Sequence, residues 1–498
     1  MDYSLAFASG ALLALSFPKF GHPALGWIAL APLLVALGRG SLSRAFGLGL
    51  TAGLVYFAGT LYWITHVMVV YGGLATWVAV PINVALVAYL ALFPALFAVI
   101  MRRLMASHGP EAVMMAPFVW VATELGRAHL FTGFPWVLLG YSQAVTLPIA
   151  QVASLFGVFG VSALVASVSA AAALFALTPR RRPGIMAAVS VGVLLLGAAA
   201  WGSWRVGRGD LTRQGDAIRI GLVQGDVDQA EKWDAARATS IFDEYLRMTR
   251  QAIAGGAQFV VWPESSAPFY FEEDRLEAGQ VRAIARQAHV PILVGSDQIE
   301  RGVPTRYYNS AFLVRSDGTV GGVYRKMHLV PFGEYVPLKS VFFFAAPLVE
   351  AVSDFSPGTQ ANLLPVDGHL VSTAICYEIV YPDLVRRFVR GGSQLLTTIT
   401  NDAWFGSTSA PYQHFEQASM RAVEEGRYLV RSANTGISGI VDPYGRVLEK
   451  SRLFAPAVML GEVRFVNAMT LYARIGDVLA YASAVLTLVA LALARRVH

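Results

Sequence analysis

The chain has 498 residues, of which 55% are hydrophobic and 14% charged, and its mean hydropathy is +0.51. A typical soluble domain is about 45–50% apolar and about 25% charged, so an ordinary soluble protein is excluded. The net charge of +6 does not indicate a nucleic-acid binder, because residues 1–209 hold 11 basic and 3 acidic residues while residues 210–475 hold 26 and 29; the positive excess lies in the apolar ends and not on a polar face.

Taken from the start, the chain shows apolar runs at 4–17, 24–37, 45–67, 74–101, 112–126, 150–177 and 185–201, with a last one at 478–494. The longer runs exceed the ~20 residues that cross a bilayer. The first two are short enough to form a hairpin buried among other helices. The first run lacks a positive start and is followed by further apolar segments, unlike a signal peptide. These runs predict a multi-pass α-helical membrane bundle of about eight spans. Loops after the even-numbered spans carry Arg39, Arg44, Arg102, Arg103, Arg180, Arg181, Arg182, Arg495 and Arg496, against Lys19 and Arg127 after spans one, three and five. Cations collect in the cytoplasm, so both termini are expected there and the region between spans seven and eight outside. Glu124 and Arg127 stand at i, i+3 near the end of span five and can pair on one helix face. Such residues at membrane depth are either functional or an interhelical tie.

Residues 210–475 carry 55 charges in 266 residues. Strand-like runs at 218–223, 259–262, 292–295, 311–315, 370–375 and 395–400 alternate with helix-like stretches at 234–253 and 275–288, which favours a layered α/β domain. The expected division is therefore a bundle over 1–209, a domain over 210–475, and a last helix with its tail over 476–498.

Three polar residues stand at the ends of strand-like runs or just after one: Glu264 after Trp-Pro, Lys326 opening the stretch 326–337, and Cys376 opening Cys-Tyr-Glu. Taken singly, each has an ordinary reading as a cap, a solvated lysine or a buried thiol. Together they suit nucleophilic catalysis. A carboxylate can take the thiol's proton, and an ammonium can stabilise both the thiolate and the oxyanion formed on attack. Cys376 is the single cysteine, so no intrachain disulfide framework is possible.

These three, with Glu334 eight residues after Lys326, resemble the nitrilase (carbon–nitrogen hydrolase) superfamily. The wording is closer still to its membrane branch, the bacterial apolipoprotein N-acyltransferases. The matching stretches are Lys232-Trp233 after 223–225, the motif 326–337, Ile375-Cys376-Tyr377-Glu378, residues 400–406, and residues 132–136 with 140–143. The resemblance implies an αββα sandwich for the α/β domain. It implies Glu264 as general base, Lys326 as oxyanion stabiliser and Cys376 as nucleophile. Glu334, Tyr377 and Glu378 would support the site, with the Tyr377 N–H completing the oxyanion hole, and Trp233, Trp404 and Phe405 would handle substrate. It also implies ping-pong acyl transfer, without cofactor or metal, from a phospholipid to the α-amine of a diacylglyceryl apolipoprotein. The enzyme would be a monomer in the bacterial inner membrane with its site on the periplasmic face.

Weaker features remain open. The apolar run 341–347 reads as a loop dipping into the bilayer or as a buried strand, and Trp404-Phe405-Gly406 as a lid, an acyl-chain contact or ordinary core. Arg421, Glu424 and Glu425 read as a charged helix face, and His328 and His414 as packing or hydrogen-bonding residues. Two other functions compete: a membrane-tethered amidase using water, and a transporter or receptor with an inactive domain. The second is disfavoured by the intact set of Glu264, Lys326 and Cys376 and by spans almost free of charge.

Overall fold

The structure is a computed structural model that describes all residues except 179–181, 230–231, 233–234, 336–354 and 495–498. Trp233 and the run 341–347 lie outside the described residues. The chain divides into two compact units: residues 1–208 with 408–420 and 470–498, and residues 209–407 with 421–469.

The first unit is helical. Helices Leu42–Leu61, Thr76–His108, Ala153–Leu177 and the one opening at Arg182 are long and apolar enough to cross a membrane. The other expected spans are helical but shorter. They comprise Asp2–Leu15, the pair Pro23–Gly26 and Ala31–Ala36, Ala116–His129 and Val478–Leu493. Among the described residues, four helices rather than eight thus meet the length requirement, because several apolar runs are divided by turns or open on a 3-10 segment such as Pro110–Met115. Close packing rests on small residues. A Cβ on Gly49 would sit 2.4 Å from the Pro94 carbonyl, and one on Gly53 would sit 2.8 Å from the Ala91 Cα. Spaced four apart, these two glycines let helices 42–61 and 76–108 approach backbone to backbone, as lipid-embedded helices commonly do.

The second unit holds two six-stranded sheets. One has the order β12-β1-β2-β3-β4-β5, where β1 is Ala217–Gln224, β2 Phe259–Val261, β3 Ile292–Glu300, β4 Arg306–Val314, β5 Val320–Arg325 and β12 Ala457–Arg464. The other has the order β11-β10-β9-β8-β7-β6, where β6 is Leu364–Val366, β7 His369–Ile375, β8 Leu395–Thr400, β9 Leu429–Ala433, β10 Gly439–Val441 and β11 Val447–Lys450. Each sheet has three parallel strands at its centre, β1-β2-β3 and β7-β8-β9, flanked by antiparallel ones. The sheets face each other, with Ser432 Oγ on β9 donating to the Val223 carbonyl on β1 at 2.9 Å.

Helices Ala235–Ala254 and Arg275–Ala288 cover the first sheet. The longer one buries Ile241, Phe242, Tyr245, Leu246, Met248 and Ala252, an apolar stripe at helical spacing against Val260 and Trp262. Helix Pro382–Arg390 packs on β7. Every strand and helix expected in this domain is present, and β5, β6 and β9 to β12 are additional.

Candidate active site

Open sheets place ligands beyond the carboxyl ends of parallel strands, and the candidate residues collect there. Glu264 follows β2 by three residues, Cys376 follows β7 directly, and Asn401 follows β8 directly. Trp262 Nε1 donates to Thr249 Oγ1 at 2.8 Å, and its buried ring anchors the turn before Glu264. Gly295 on β3 runs against that turn, where a Cβ would lie 2.1 Å from the Pro263 carbonyl, so only glycine fits there.

The Glu264 carboxylate is buried and fully engaged. Its Oε1 accepts from Asn309 Nδ2 at 2.7 Å and from Lys326 Nζ at 3.3 Å, and its Oε2 accepts from the Asn401 N–H at 2.8 Å. Lys326 Nζ also donates to Glu334 Oε1 at 2.8 Å, and Asn309 Nδ2 reaches the same oxygen at 3.0 Å. The other Glu334 oxygen accepts from the Val330 N–H at 2.8 Å. Two carboxylates therefore share one ammonium and one amide in a closed network. Lys326 is 1% exposed; burial pulls its proton affinity down, but Glu334 and Glu264 hold it above the ordinary lysine value. A buried cation paired on two sides can stay charged where a lone one would not.

Cys376 adopts φ +53°, the left-handed region that is sterically costly for a residue with a side chain. This bend turns the chain from β7 into the 3-10 segment Cys376–Val380. Burial raises the thiol's proton affinity, the nearby Glu264 carboxylate raises it further, and Lys326 lowers it. The resting sulfur is thus a thiol within the field of an acid and a base.

Glu378 is buried, and both of its oxygens accept hydrogen bonds. Its Oε2 accepts from the Ile375 N–H at 2.7 Å. Its Oε1 accepts from the N–H groups of Met327 at 2.7 Å and His328 at 3.1 Å, and from the Tyr324 hydroxyl at 2.8 Å. It ties the Cys376 bend to the loop after Lys326. Burial pushes its carboxyl up to about 7 against the pull of these donors. Tyr377 lies edge-on to Tyr381, with ring centroids 5.2 Å apart, and the His328 ring lies tilted against Tyr381 with centroids 3.7 Å apart. Trp404 and Phe405 are half-buried in the 3-10 turn Asp402–Phe405, so neither is an ordinary core aromatic.

Two charged features differ from their sequence reading. Arg421, Glu424 and Glu425 are all 0% exposed and not a solvated face. Arg421 Nε lies 3.0 Å from Glu424 Oε2, an i, i+3 pair that lets both be buried, and burial together with neighbouring Glu424 pushes the Glu425 carboxyl well up. In the helical unit, Glu124 and Arg127 each bond the loop that follows their helix. Glu124 Oε1 accepts from the Leu139 N–H at 2.6 Å, and Arg127 donates to the carbonyls of Phe134 at 3.1 Å and Trp136 at 2.6 Å. They hold the 132–143 motif, whose Trp136 Nε1 donates to Gln413 Oε1 at 2.7 Å. His414 lies beside the Trp136 ring, 5.5 Å between centroids.

Sequence reasoning missed Asn309 and Asn401 as site residues. Asn309 leaves only a faint signal, a lone amide in the middle of β4 between Tyr308 and Ser310. Asn401 belongs to the 400–406 motif but offers its main-chain N–H, which no sequence shows.

The comparisons with known proteins follow this geometry. Residues 219–469 match the family model described as carbon-nitrogen hydrolase, and residues 9–171 match that of the apolipoprotein N-acyltransferase N-terminal domain. The apolipoprotein N-acyltransferase of Geobacter metallireducens is 44% identical over 503 aligned residues, covering 99% of this chain and 95% of that one. The chain belongs to the apolipoprotein N-acyltransferase family. That of Methylococcus capsulatus is 35% identical, covering 95% of this chain and 92% of its own. Among solved structures, a carbon-nitrogen hydrolase from Helicobacter pylori G27 aligns at 17% identity and a TM-score of 0.40, covering 50% of this chain and 89% of that one. Membership in the acyltransferase family gives the α/β unit its nitrilase-like class and makes the protein an acyltransferase.

Proposed function

We propose that the protein transfers an acyl chain from a membrane phospholipid to the α-amine of a lipidated N-terminal cysteine on apolipoproteins, through a thioester on Cys376. The observation that carries this reading is the closed network of Glu264, Asn309, Lys326 and Glu334 at the Cys376 bend. It supplies a base, a fixed cation and a nucleophile without a histidine.

As Cys376 Sγ attacks the ester carbonyl, its proton passes to Glu264. An S–C bond forms, and the oxyanion is met by Lys326 Nζ and the Tyr377 N–H. The C–O bond of the tetrahedral intermediate then breaks, and the lysophospholipid oxygen leaves with the proton from Glu264. In the second half, the amine nitrogen attacks the thioester, Glu264 takes its proton, the C–S bond breaks, and the proton returns to sulfur. The thioester is attacked readily by an amine, whereas the amide formed is stable, so the sequence runs forward.

In this reading Glu334 balances the charge of Lys326, and Glu378 positions both Cys376 and the Lys326 loop. Tyr377, Trp404, Phe405 and Trp233 meet the substrates. The apolar helices of 1–209 and 476–498 anchor the enzyme in the inner membrane with both termini cytoplasmic, and 210–475 works on the periplasmic face as a monomer. An amidase using water would have no use for the apolar helices.

The test is trapping. The full chain in detergent is incubated with acyl-labelled phospholipid, and a hydroxylamine-sensitive adduct is sought. The wild type is expected to label and C376A not to. Equal labelling of both would overturn the mechanism.

A further inference from the structure

The loop after β1 brings a second lysine to the site. Lys232 is 5% exposed, and its Nζ donates to the main-chain carbonyl of Glu264 at 3.4 Å. The loop is anchored ahead of that contact. The Lys232 N–H bonds the Asp228 carbonyl at 3.1 Å, and the Val227 N–H bonds Asn434 Oδ1 at 3.0 Å. Gln229 Oε1 accepts from Asn401 Nδ2 at 2.6 Å, and Asn401 in turn gives its N–H to Glu264 Oε2. The same loop thus touches Glu264 twice, directly at its main chain and through Asn401 at its carboxylate.

Across the turn, Ser265 at φ +42° donates its hydroxyl to Asp297 Oδ1 at 2.9 Å. The next residue from the base is therefore held by an acid, and Lys232 and Asp297 carry opposite charges around one turn. Lys232 is a buried ammonium, and burying one costs several kcal/mol unless opposite charge supports it. Burial lowers the proton affinity of Lys232, while Glu264, Asp297 and Cys376 support its charge. Asp297 is pushed up to about 6 by burial, held down by the Ser265 hydroxyl and Lys232, and raised again by Glu264 and Glu334. The charges facing Cys376 are then Glu264, Lys326, Asp402 and Lys232, with the Thr400 hydroxyl beside them.

We infer that Lys232 is a positioning residue of the acyl-transfer site. It fixes the Glu264 turn through the main-chain carbonyl and holds a second positive charge toward Glu264 and Cys376, with Asp297 as its counter-charge. This deepens the acyl-transfer reading and rests on it. During attack, negative charge moves from the Glu264 carboxylate to sulfur and then to the oxyanion, and Lys232 favours the charged form at both ends of that path.

The test uses the single thiol. Iodoacetamide alkylation of the full chain in detergent is followed against pH by intact mass, with no lipid substrate, so it reads Cys376 alone. K232M is expected to move the alkylation midpoint up by at least about half a pH unit, the size expected for losing one nearby charge at a partly shielded site. K232R is expected to keep the midpoint of the wild type. D297N, which removes the opposing charge, is expected to move it down, and it remains readable even if K232M fails to fold. An unshifted midpoint in folded K232M, or in D297N, would leave Lys232 a packing residue and overturn the inference. Wild-type protein that alkylates normally but never forms the phospholipid adduct would instead overturn the acyl-transfer reading.

Discussion

Both units bury a glutamate and a basic residue, and the two arrangements differ in what they bond. In the α/β unit, Glu264 and Lys326 bond each other and share Asn309 with Glu334. In the helical unit, Glu124 and Arg127 are equally buried, and both reach the main chain of the loop at residues 134–139. A carboxylate held by side chains can gain and lose a proton while its neighbours compensate. Each of the two glutamates also accepts a main-chain N–H, from Asn401 for Glu264 and from Leu139 for Glu124. The difference is that a lysine and an amide side chain complete the set at Glu264, whereas the Arg127 guanidinium beside Glu124 donates to carbonyls. Burial of a charge alone does not mark chemistry; the identity of its partners does.

The same substitution in both units tests this most strongly. E264Q keeps the shape of the side chain but removes the base, and acyl-adduct formation is expected to fall about 10³-fold. E124Q keeps an oxygen for the Leu139 N–H and is expected to stay within about two-fold of wild type. A silent E264Q or a dead E124Q would reverse the distinction. N309A comes next. It strips one bond from each of two buried carboxylates, and losing a bond to a charged group at about 1.5–3 kcal/mol predicts a 10- to 100-fold slower adduct with the fold retained. Full activity would remove Asn309 from the network.

R127M should act on stability and not on chemistry. Its loss leaves the Phe134 and Trp136 carbonyls without their donor, so the thermal midpoint in detergent is expected to fall by several degrees while turnover per folded molecule holds. The smallest effect concerns His328, which burial holds down to about 4. A depressed value means that its contribution to stability is complete above the unfolded value near 6.5 and is lost as pH falls through 4. H328F is expected to unfold with less pH dependence than wild type between about pH 6.5 and 4; identical acid profiles would count against this assignment.

Much of the fold was legible in the chain because each element's burial is written in its own residues. The alternation in 218–223 and the stripe in 241–252 need no partner to be recognised. Glu264 and Cys376 were legible because each stands at or just after the end of such a run, and Lys326 because it opens the motif 326–337. Arg421 to Glu425 was not, since a charged triplet reads as solvated until the groups that cover and pair it are known. The four-bond role of Glu378 was equally hidden, because three of its donors come from residues at least fifty positions away along the chain and the fourth is a main-chain N–H that any residue carries.

By itself the sequence determined two apolar ends around a polar domain and the strand and helix order within that domain, and it singled out Glu264, Lys326 and Cys376 as the candidates proposed here for acyl transfer. Local period and local chemistry suffice for those. The tertiary structure alone decided that Asn309 joins Glu264 to Glu334, that Asn401 offers its main chain, that Lys232 reaches the Glu264 turn, and that Glu124 and Arg127 serve a loop. Each of these depends on directional bonds between groups far apart in sequence, and a hydrogen bond of about 3 Å exists only once the sheets have fixed both ends of it.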